Sequence, residues 1–254
     1  MATEIYCASL TLMEHTFFAS REIGIFYETE PLIGNYALAY ALGLCAGPYS
    51  CGGPPRYKED LAPLNQQGLY VTPATFEPNT LCYAISQFNA QSDSYYFRFD
   101  QNAIATQPVE LTGGKKGKTA NFPQSGKIRM LGLGSRAYFF LINQPGNPLP
   151  LPNYIRLGKF NSKARLDWER LELKSRQPIE REDQDVGFLL NAADLPSTAI
   201  ASLQAYSLHN IYPAPLLTQC HLGGSFWHCE SKRGLPSKDI YLPYGMRFGV
   251  DIIK

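Results

Sequence analysis

Residues 14–44, EHTFFASREIGIFYETEPLIGNYALAYALGL, decide how this chain is read, because a charged, aromatic-rich loop runs straight into a segment with no polar face. No charge occurs from Pro31 to Pro55, and after Asn35, which suits an N-cap, residues 36–44 are Tyr, Ala, Leu and Gly alone. A helix over 35–44 with that composition has no side to show to water, so it must be buried all round, in its own domain or under a partner. Gly43 and Gly47 help to stop it. Upstream, residues 4–12 alternate Ile5, Cys7 and Ser9 against Tyr6, Ala8, Leu10 and Leu12, the period of a strand. A strand, an apolar helix and then many strands predict an α+β domain with its helix packed on an antiparallel sheet.

Working outward, residues 47–56 are a turn-rich connector, and short strands are expected at 68–72, 80–88, 95–99, 127–133 and 137–142. The segment 111–126, carrying GGKKGKTANFPQSG, reads as a basic protruding hairpin between two strands. Four prolines make 144–152 extended linker. Residues 153–173 return to strand, with Leu166 and Trp168 on one face. An acidic surface turn is expected at 180–185, then an apolar strand at 186–190 and another at 246–253. Tyr95 to Phe99 lack the aromatic signature of RNA-recognition strands and are read as strand core.

With 44% apolar and 13% aromatic residues, 254 residues can build a packed core, so extensive disorder is not expected. The N-terminus has no basic start followed by an apolar run, and no uncharged apolar stretch approaches the roughly 20 residues that span a bilayer. The expectation is a soluble, cytoplasmic protein that does not contact a membrane. The six cysteines (Cys7, Cys45, Cys51, Cys82, Cys220, Cys229) are then free thiols.

A net charge of +1 conceals an asymmetry. Residues 1–110 hold 11 acids and 4 bases, and residues 167–254 hold 11 acids and 9 bases. Between Glu110 and Asp167 stand Lys115, Lys116, Lys118, Lys127, Arg129, Arg136, Arg156, Lys159, Lys163 and Arg165, with no acid among them. One wholly basic segment in a near-neutral chain points to a local polyanion site, against the alternative of a solvated loop. Within it, YIRLGKFNSKARL at 154–166 sets Arg156, Lys159, Lys163 and Arg165 around Phe160. Cations with an exposed ring suit single-stranded RNA, whose phosphates need charge and whose unstacked bases need flat partners. The alternative is a sheet edge guarded by lysines.

Other motifs exclude chemistry. The GKT at 117–119 fails as a phosphate loop because its first glycine would fall at Thr112, and Pro123 forbids a long helix after it. Cys220, His221, His228 and Cys229 have metal-like composition, but a CH…HC order differs from the usual CxxC and HxxxH spacings. Gly223 and Gly224 are instead expected in a glycine-rich loop, with Phe226 and Trp227 as partner-interface or core residues. No metal or other cofactor is expected. Arg21 either binds phosphate or pairs with Glu22, Glu28 or Glu30.

FFASREIG, YETEP and NYALAYALGL, at 17–24, 27–31 and 35–44, resemble the N-terminal signature of the Csc-one family, the Cas-five-type small subunit of type I-D CRISPR interference complexes. The 154–166 segment resembles the RLGK..SK run in the middle of that family. The resemblance implies an RRM-like, ferredoxin-type core with a thumb hairpin, in a single domain over 1–254 with a strand-rich C-terminal extension from about residue 174. It further implies a non-catalytic subunit of the Cascade complex in antiviral defence. Such a subunit holds the 5′ handle of the crRNA, bridges the backbone subunit and the Cas-ten-like large subunit, and helps to contact target DNA near the PAM. The RNA-binding residues would be Arg21, Phe160 and the ten cations of the basic segment. Some Cas-five relatives cut precursor crRNA, so a metal-independent endoribonuclease is the alternative; His15, His209, His221 and His228 are the only histidines, and none joins the basic segment in sequence. A purely protein-binding adaptor is the third reading.

Overall fold

The computed structural model describes residues 3–23, 26–45, 55–90, 110–111, 115–116, 124–144, 147 and 149–250. The strand expected at 95–99, Lys118 and most of the 111–126 hairpin lie outside the described residues. In chain order the elements are β1 (Glu4–Leu12), β2 (Arg21–Ile23), β3 (Phe26–Glu28), β4 (Leu32–Ile33), α1 (Asn35–Ala41), α2 (Tyr57–Gln67), β5 (Leu69–Val71), β6 (Ala74–Phe76) and β7 (Tyr83–Ala90). They continue with β8 (Glu110–Leu111), β9 (Lys115–Lys116), β10 (Gln124–Leu131), β11 (Arg136–Asn143), β12 (Tyr154–Leu157), β13 (Ser162–Arg170) and β14 (Glu172–Leu173). The last are β15 (Ile179–Val186), β16 (Leu190–Asn191), α3 (Ser197–Ala201), β17 (Leu203–His209), β18 (Leu216–Glu230) and β19 (Asp239–Pro243).

Alternation in β1 organises the first sheet, whose order is β12-β13-β1-β11-β6-β4, with β5 also on β11. Ala8 sits between Phe139 and Trp168, and Leu10 between Ala137 and Leu166. All of these are buried except Trp168, which is half-buried and meets Phe139 edge-on at 5.7 Å. The opposite face carries Cys7, Ser9 and Thr11. At its Cys7 end it is covered by the segment after β15, where Phe140 meets Phe188 at 4.9 Å and the Tyr138 hydroxyl donates to the Gly187 carbonyl at 3.0 Å. At its Thr11 end the face is open. A second sheet, β2-β3-β10-β7, leans on the first, and a third is built around the 15-residue β18. Apolar residues of the first and third sheets form one continuous core.

The uncharged helix is buried within its own chain. α1 touches β12 at one side of the sheet and β5 at the other, and none of its residues is exposed. Fully burying a side chain such as Leu38 contributes about 2 kcal/mol. Asn35 is not the cap: Gly34 holds that position, and the Asn35 amide donates to Asp194 at 2.6 Å instead. Asp194 is 1% exposed and also accepts from the Tyr36 hydroxyl at 3.0 Å, the Tyr70 hydroxyl at 2.9 Å and the Gly249 N–H at 2.7 Å. Desolvation pushes its pKa up to about 6, against those four donors. This carboxylate ties α1, β5 and the C-terminal segment together.

Several expected elements are corrected. Residues 57–67 form α2 despite Pro63, helped by Glu59 and Asp60 in the first turn and by Gly68 as a left-handed cap at φ 67°. The acidic 180–185 segment is strand, because β18 satisfies its backbone while its side chains stay in water. In 186–190 only Val186, the last residue of β15, and Leu190 are strand, and Phe188 and Leu189 are buried as irregular chain. Described residues 246–250 are not strand either; Asn65 grips the Phe248 backbone through both its N–H and its carbonyl, in place of a strand partner. Gly223 and Gly224 lie inside β18 and not in a loop: a Cβ on Gly223 would sit 2.6 Å from the Glu182 carbonyl, at a bulge in β15. The five described cysteines are free. Among the described residues no helix is long and apolar enough to cross a membrane.

Candidate nucleic-acid interface

The open end of the first sheet is where the basic residues meet. Register pairs Tyr154 with Arg165, Arg165 with Thr11, and Thr11 with Arg136, so these four form one row across β12, β13, β1 and β11 on one face. Arg156 and Lys163 form the next row. Tyr154 is 51% exposed, and the Lys163 ammonium lies over its ring at 4.1 Å. At the hairpin tip Phe160 is 55% exposed and stacks on Phe17 at 5.4 Å, with Lys159 exposed beside it.

The tip is held to the loop after β1. The Lys159 N–H donates to the Phe17 carbonyl at 2.8 Å, the Met13 N–H to the Lys163 carbonyl at 2.9 Å, and the Ser162 hydroxyl to the His15 carbonyl at 2.7 Å. Gly158 permits this approach: its φ is 69°, and a Cβ there would stand 2.5 Å from the Phe17 carbonyl. Gly158→Ala is expected to cost about 2 kcal/mol, from left-handed strain plus a clash with fixed backbone, read as a lower urea midpoint.

Charge that is segregated in sequence is not segregated in space. Arg156 lies 3.7 Å from Glu14, Arg165 is 3.1 Å from Asp167, and Arg136 is 3.0 Å from Glu77. Each of these arginines remains at least half exposed, and exposed pairs contribute only about 0–1 kcal/mol, so a phosphate can displace the carboxylate. Arg129 differs. It is paired with Glu28, lies over the Tyr83 ring at 4.5 Å and is only 31% exposed, so its charge is committed to the second sheet. Arg21 is paired with the buried Glu30, the internal alternative. Lys127 is exposed on β10, and Lys115 and Lys116 form β9 opposite β8.

The family model described as type I-D CRISPR-associated protein Cas5/Csc1 matches residues 3–251. This chain belongs to that family. No curated protein matches it. Among solved structures, a chain of the cryo-EM structure of the Type III-B Cmr-beta bound to cognate target RNA and AMPPnP is similar at a TM-score of 0.45 and 9% identity, over 85% of this chain and 86% of that chain.

In this Cas5/Csc1 family member the fold brings His15 to the basic hairpin, a neighbour that sequence order concealed. Phe226 is fully buried in the core and offers nothing to a partner. Trp227 is half-buried, edge-on to Tyr244 at 5.3 Å, at the rim of a cleft shared with Tyr70 and Arg247. The Cys220–His221 and His228–Cys229 pairs lie on one strand, roughly 25 Å apart at about 3.3 Å per residue, so they cannot share an ion. His221 faces Asp183 at 3.2 Å, and His228 faces Asp239 at 2.9 Å.

Proposed function

We propose that this protein is a non-catalytic subunit of a type I-D CRISPR effector complex that holds the 5′ handle of the crRNA on the open face of its first sheet. It also bridges the backbone and Cas10-like large subunits, and it assists target DNA binding next to the PAM. The observation that carries the RNA reading is the row Tyr154, Arg165, Thr11 and Arg136 with Arg156 and Lys163 beside it. Cations spaced along a sheet face neutralise successive phosphates, and exposed Tyr154 and Phe160 offer flat surfaces to splayed bases. Membership of the Cas5/Csc1 family supports the reading. We also read β13-β1-β11-β5 as an RRM-like, ferredoxin-type core, in support of which β1 lies between β13 and β11 while β5 follows the helices.

Ultraviolet cross-linking of the assembled complex tests this. Links from Tyr154 or Phe160 to the 5′ end of the crRNA are expected, and links confined to other surfaces would overturn it. A second reading, metal-independent cleavage of precursor crRNA, is favoured by one observation: exposed His15 stands beside the cations a cleavage site would need. Repeat RNA incubated with the protein is expected to stay intact on a denaturing gel. Cutting that disappears in His15→Ala would replace the holder with a nuclease.

A further inference from the structure

The cleft rimmed by Trp227 lies at the end of the first sheet opposite the basic row. Arg136 pairs with Thr11 at one end of β11 and Asn143 with Glu4 at the other, so Gln144 in the cleft wall stands roughly 25 Å along the strand from Arg136, at about 3.3 Å per residue. The cleft encloses about 210 Å³, less than the roughly 300–1,000 Å³ of a pocket for a drug-sized molecule and suited to one ring-sized group. Two aromatic side chains shape it. Tyr244, 48% exposed, and half-buried Trp227 meet at 74° with centroids 5.3 Å apart, so a flat group stacked on one ring turns its edge to the other.

Two polar groups of the lining are already committed, the Tyr70 hydroxyl to Asp194 and the Asn65 amide to the Phe248 backbone. Two others are not. Arg247 is exposed, and its guanidinium has no carboxylate within ion-pair distance among the described residues; only its backbone N–H is engaged, by the Asp194 carbonyl at 3.1 Å. The Gln144 side-chain amide likewise has no hydrogen-bond partner among the described residues. It is nevertheless held in place: the Gln144 backbone N–H donates to the Gly68 carbonyl at 3.1 Å, and the side chain lies over Gly68, where a Cβ would clash with it. Among the described lining residues there is no aspartate or glutamate, and Arg247 is the one charge.

We infer that this cleft takes one unstacked nucleotide, with its base against Tyr244 and Trp227, its base edge toward the Gln144 amide and its phosphate at Arg247. Each unused group then has a role. Aromatic rings accept the face of any base, a guanidinium suits a phosphate, and an amide offers one donor and one acceptor, the pair that matches an adenine edge. A cation or an amine would find no carboxylate in the lining. An acidic peptide side chain would engage Arg247 and leave both rings and the amide without a partner. The nucleotide is either free or part of a strand, since both present the same base and phosphate. The cleft does not depend on the sheet-face reading, whose residues lie at the other end of β11.

Tryptophan fluorescence of the full chain, titrated with AMP, UMP, ribose 5-phosphate and a short adenine oligonucleotide, tests the inference. AMP is expected to quench the emission, to bind at least about fivefold more tightly than UMP, and to lose its effect in Trp227→Phe. Arg247→Ala, an exposed change that keeps the backbone bond to Asp194, is expected to weaken AMP at least about tenfold, and Gln144→Ala to erase the preference over UMP. An oligonucleotide that binds more tightly than AMP assigns the nucleotide to a strand, and equal binding assigns a free nucleotide; both support the inference. No quenching by any nucleotide overturns it, as does quenching that persists in Trp227→Phe. Ribose 5-phosphate binding as tightly as AMP would show that no base is held, and displacement of AMP by an acetylated, amidated glutamate at equal concentration would give the cleft to an acidic side chain; either overturns it. Quenching that disappears when Arg156, Lys163 and Arg165 become Ala belongs to the sheet face and overturns the cleft alone.

Discussion

Labelled repeat RNA titrated with the purified protein will bind about a hundredfold more weakly at 200 mM salt than at 50 mM. The figure follows from which cations the fold leaves available. Arg136, Arg156, Lys159, Lys163 and Arg165 stand on or beside one face, and at about −0.7 per single-strand phosphate contact they give a log–log slope near −3.5. Arg21 and Arg129 are left out because Glu30 and Glu28 already hold them. Replacing Arg156, Lys163 and Arg165 together with Ala will flatten the slope to about −1.4, so that the same change in salt costs less than tenfold. Tyr154→Ala will weaken binding by about 1–3 kcal/mol without changing the slope, because it removes stacking and no charge. Had all ten cations of the basic segment met phosphate, the slope would approach −7. A measured slope beyond about −5, or one that the triple substitution leaves alone, would move the phosphate contacts to the 111–126 segment and sink the sheet-face assignment.

The difference between ten cations and five shows where sequence reading reaches and where it stops. The alternation of Ile5 through Leu12 and the uncharged run after Asn35 are local patterns, and they became a strand and a helix, the helix ending at Ala41 and not at residue 44. Residues 154–166 likewise read as strand around a turn. The positions of the acids were not legible: Glu14, Glu28 and Glu77 are distant in sequence from Arg156, Arg129 and Arg136, and only the sheet pairing brings them together. His15 met the basic hairpin for the same reason. The acidic 180–185 segment reads as a surface turn because it is almost wholly charged, whereas an antiparallel neighbour satisfies the backbone of a strand whose side chains stay in water. Phe226, open in sequence between partner interface and core, belongs to the core, within a strand. A signal for α2 was present in Glu59, Asp60 and Gly68, masked by Pro63.

Asp194→Ala will remove about 3–5 kcal/mol of stability, a large part of the 5–15 kcal/mol that a domain possesses. The loss comes from the Asn35 amide, the Tyr36 and Tyr70 hydroxyls and the Gly249 N–H, four buried donors left without their acceptor. Asp194→Asn keeps the shape but offers one acceptor oxygen where four donors converge, so it will lie between the variant and the parent. The two also differ in how stability responds to pH. Because burial raises the Asp194 pKa to about 6 from an unfolded value near 3.8, the folded state binds the extra proton between those values. Its contribution is therefore fully present below about pH 4 and is lost as pH rises through about 6. The span of roughly two pH units corresponds to on the order of 3 kcal/mol. Urea unfolding of the parent and of Asp194→Asn across pH 4 to 7 isolates this term, since every other titrating group is common to both. The parent's advantage over the Asn variant must shrink as pH rises. A difference that stays flat would mean that the Asp194 carboxyl binds its proton equally well folded and unfolded, with its four donors fully offsetting the burial. One that grows with pH would mean that they outweigh it.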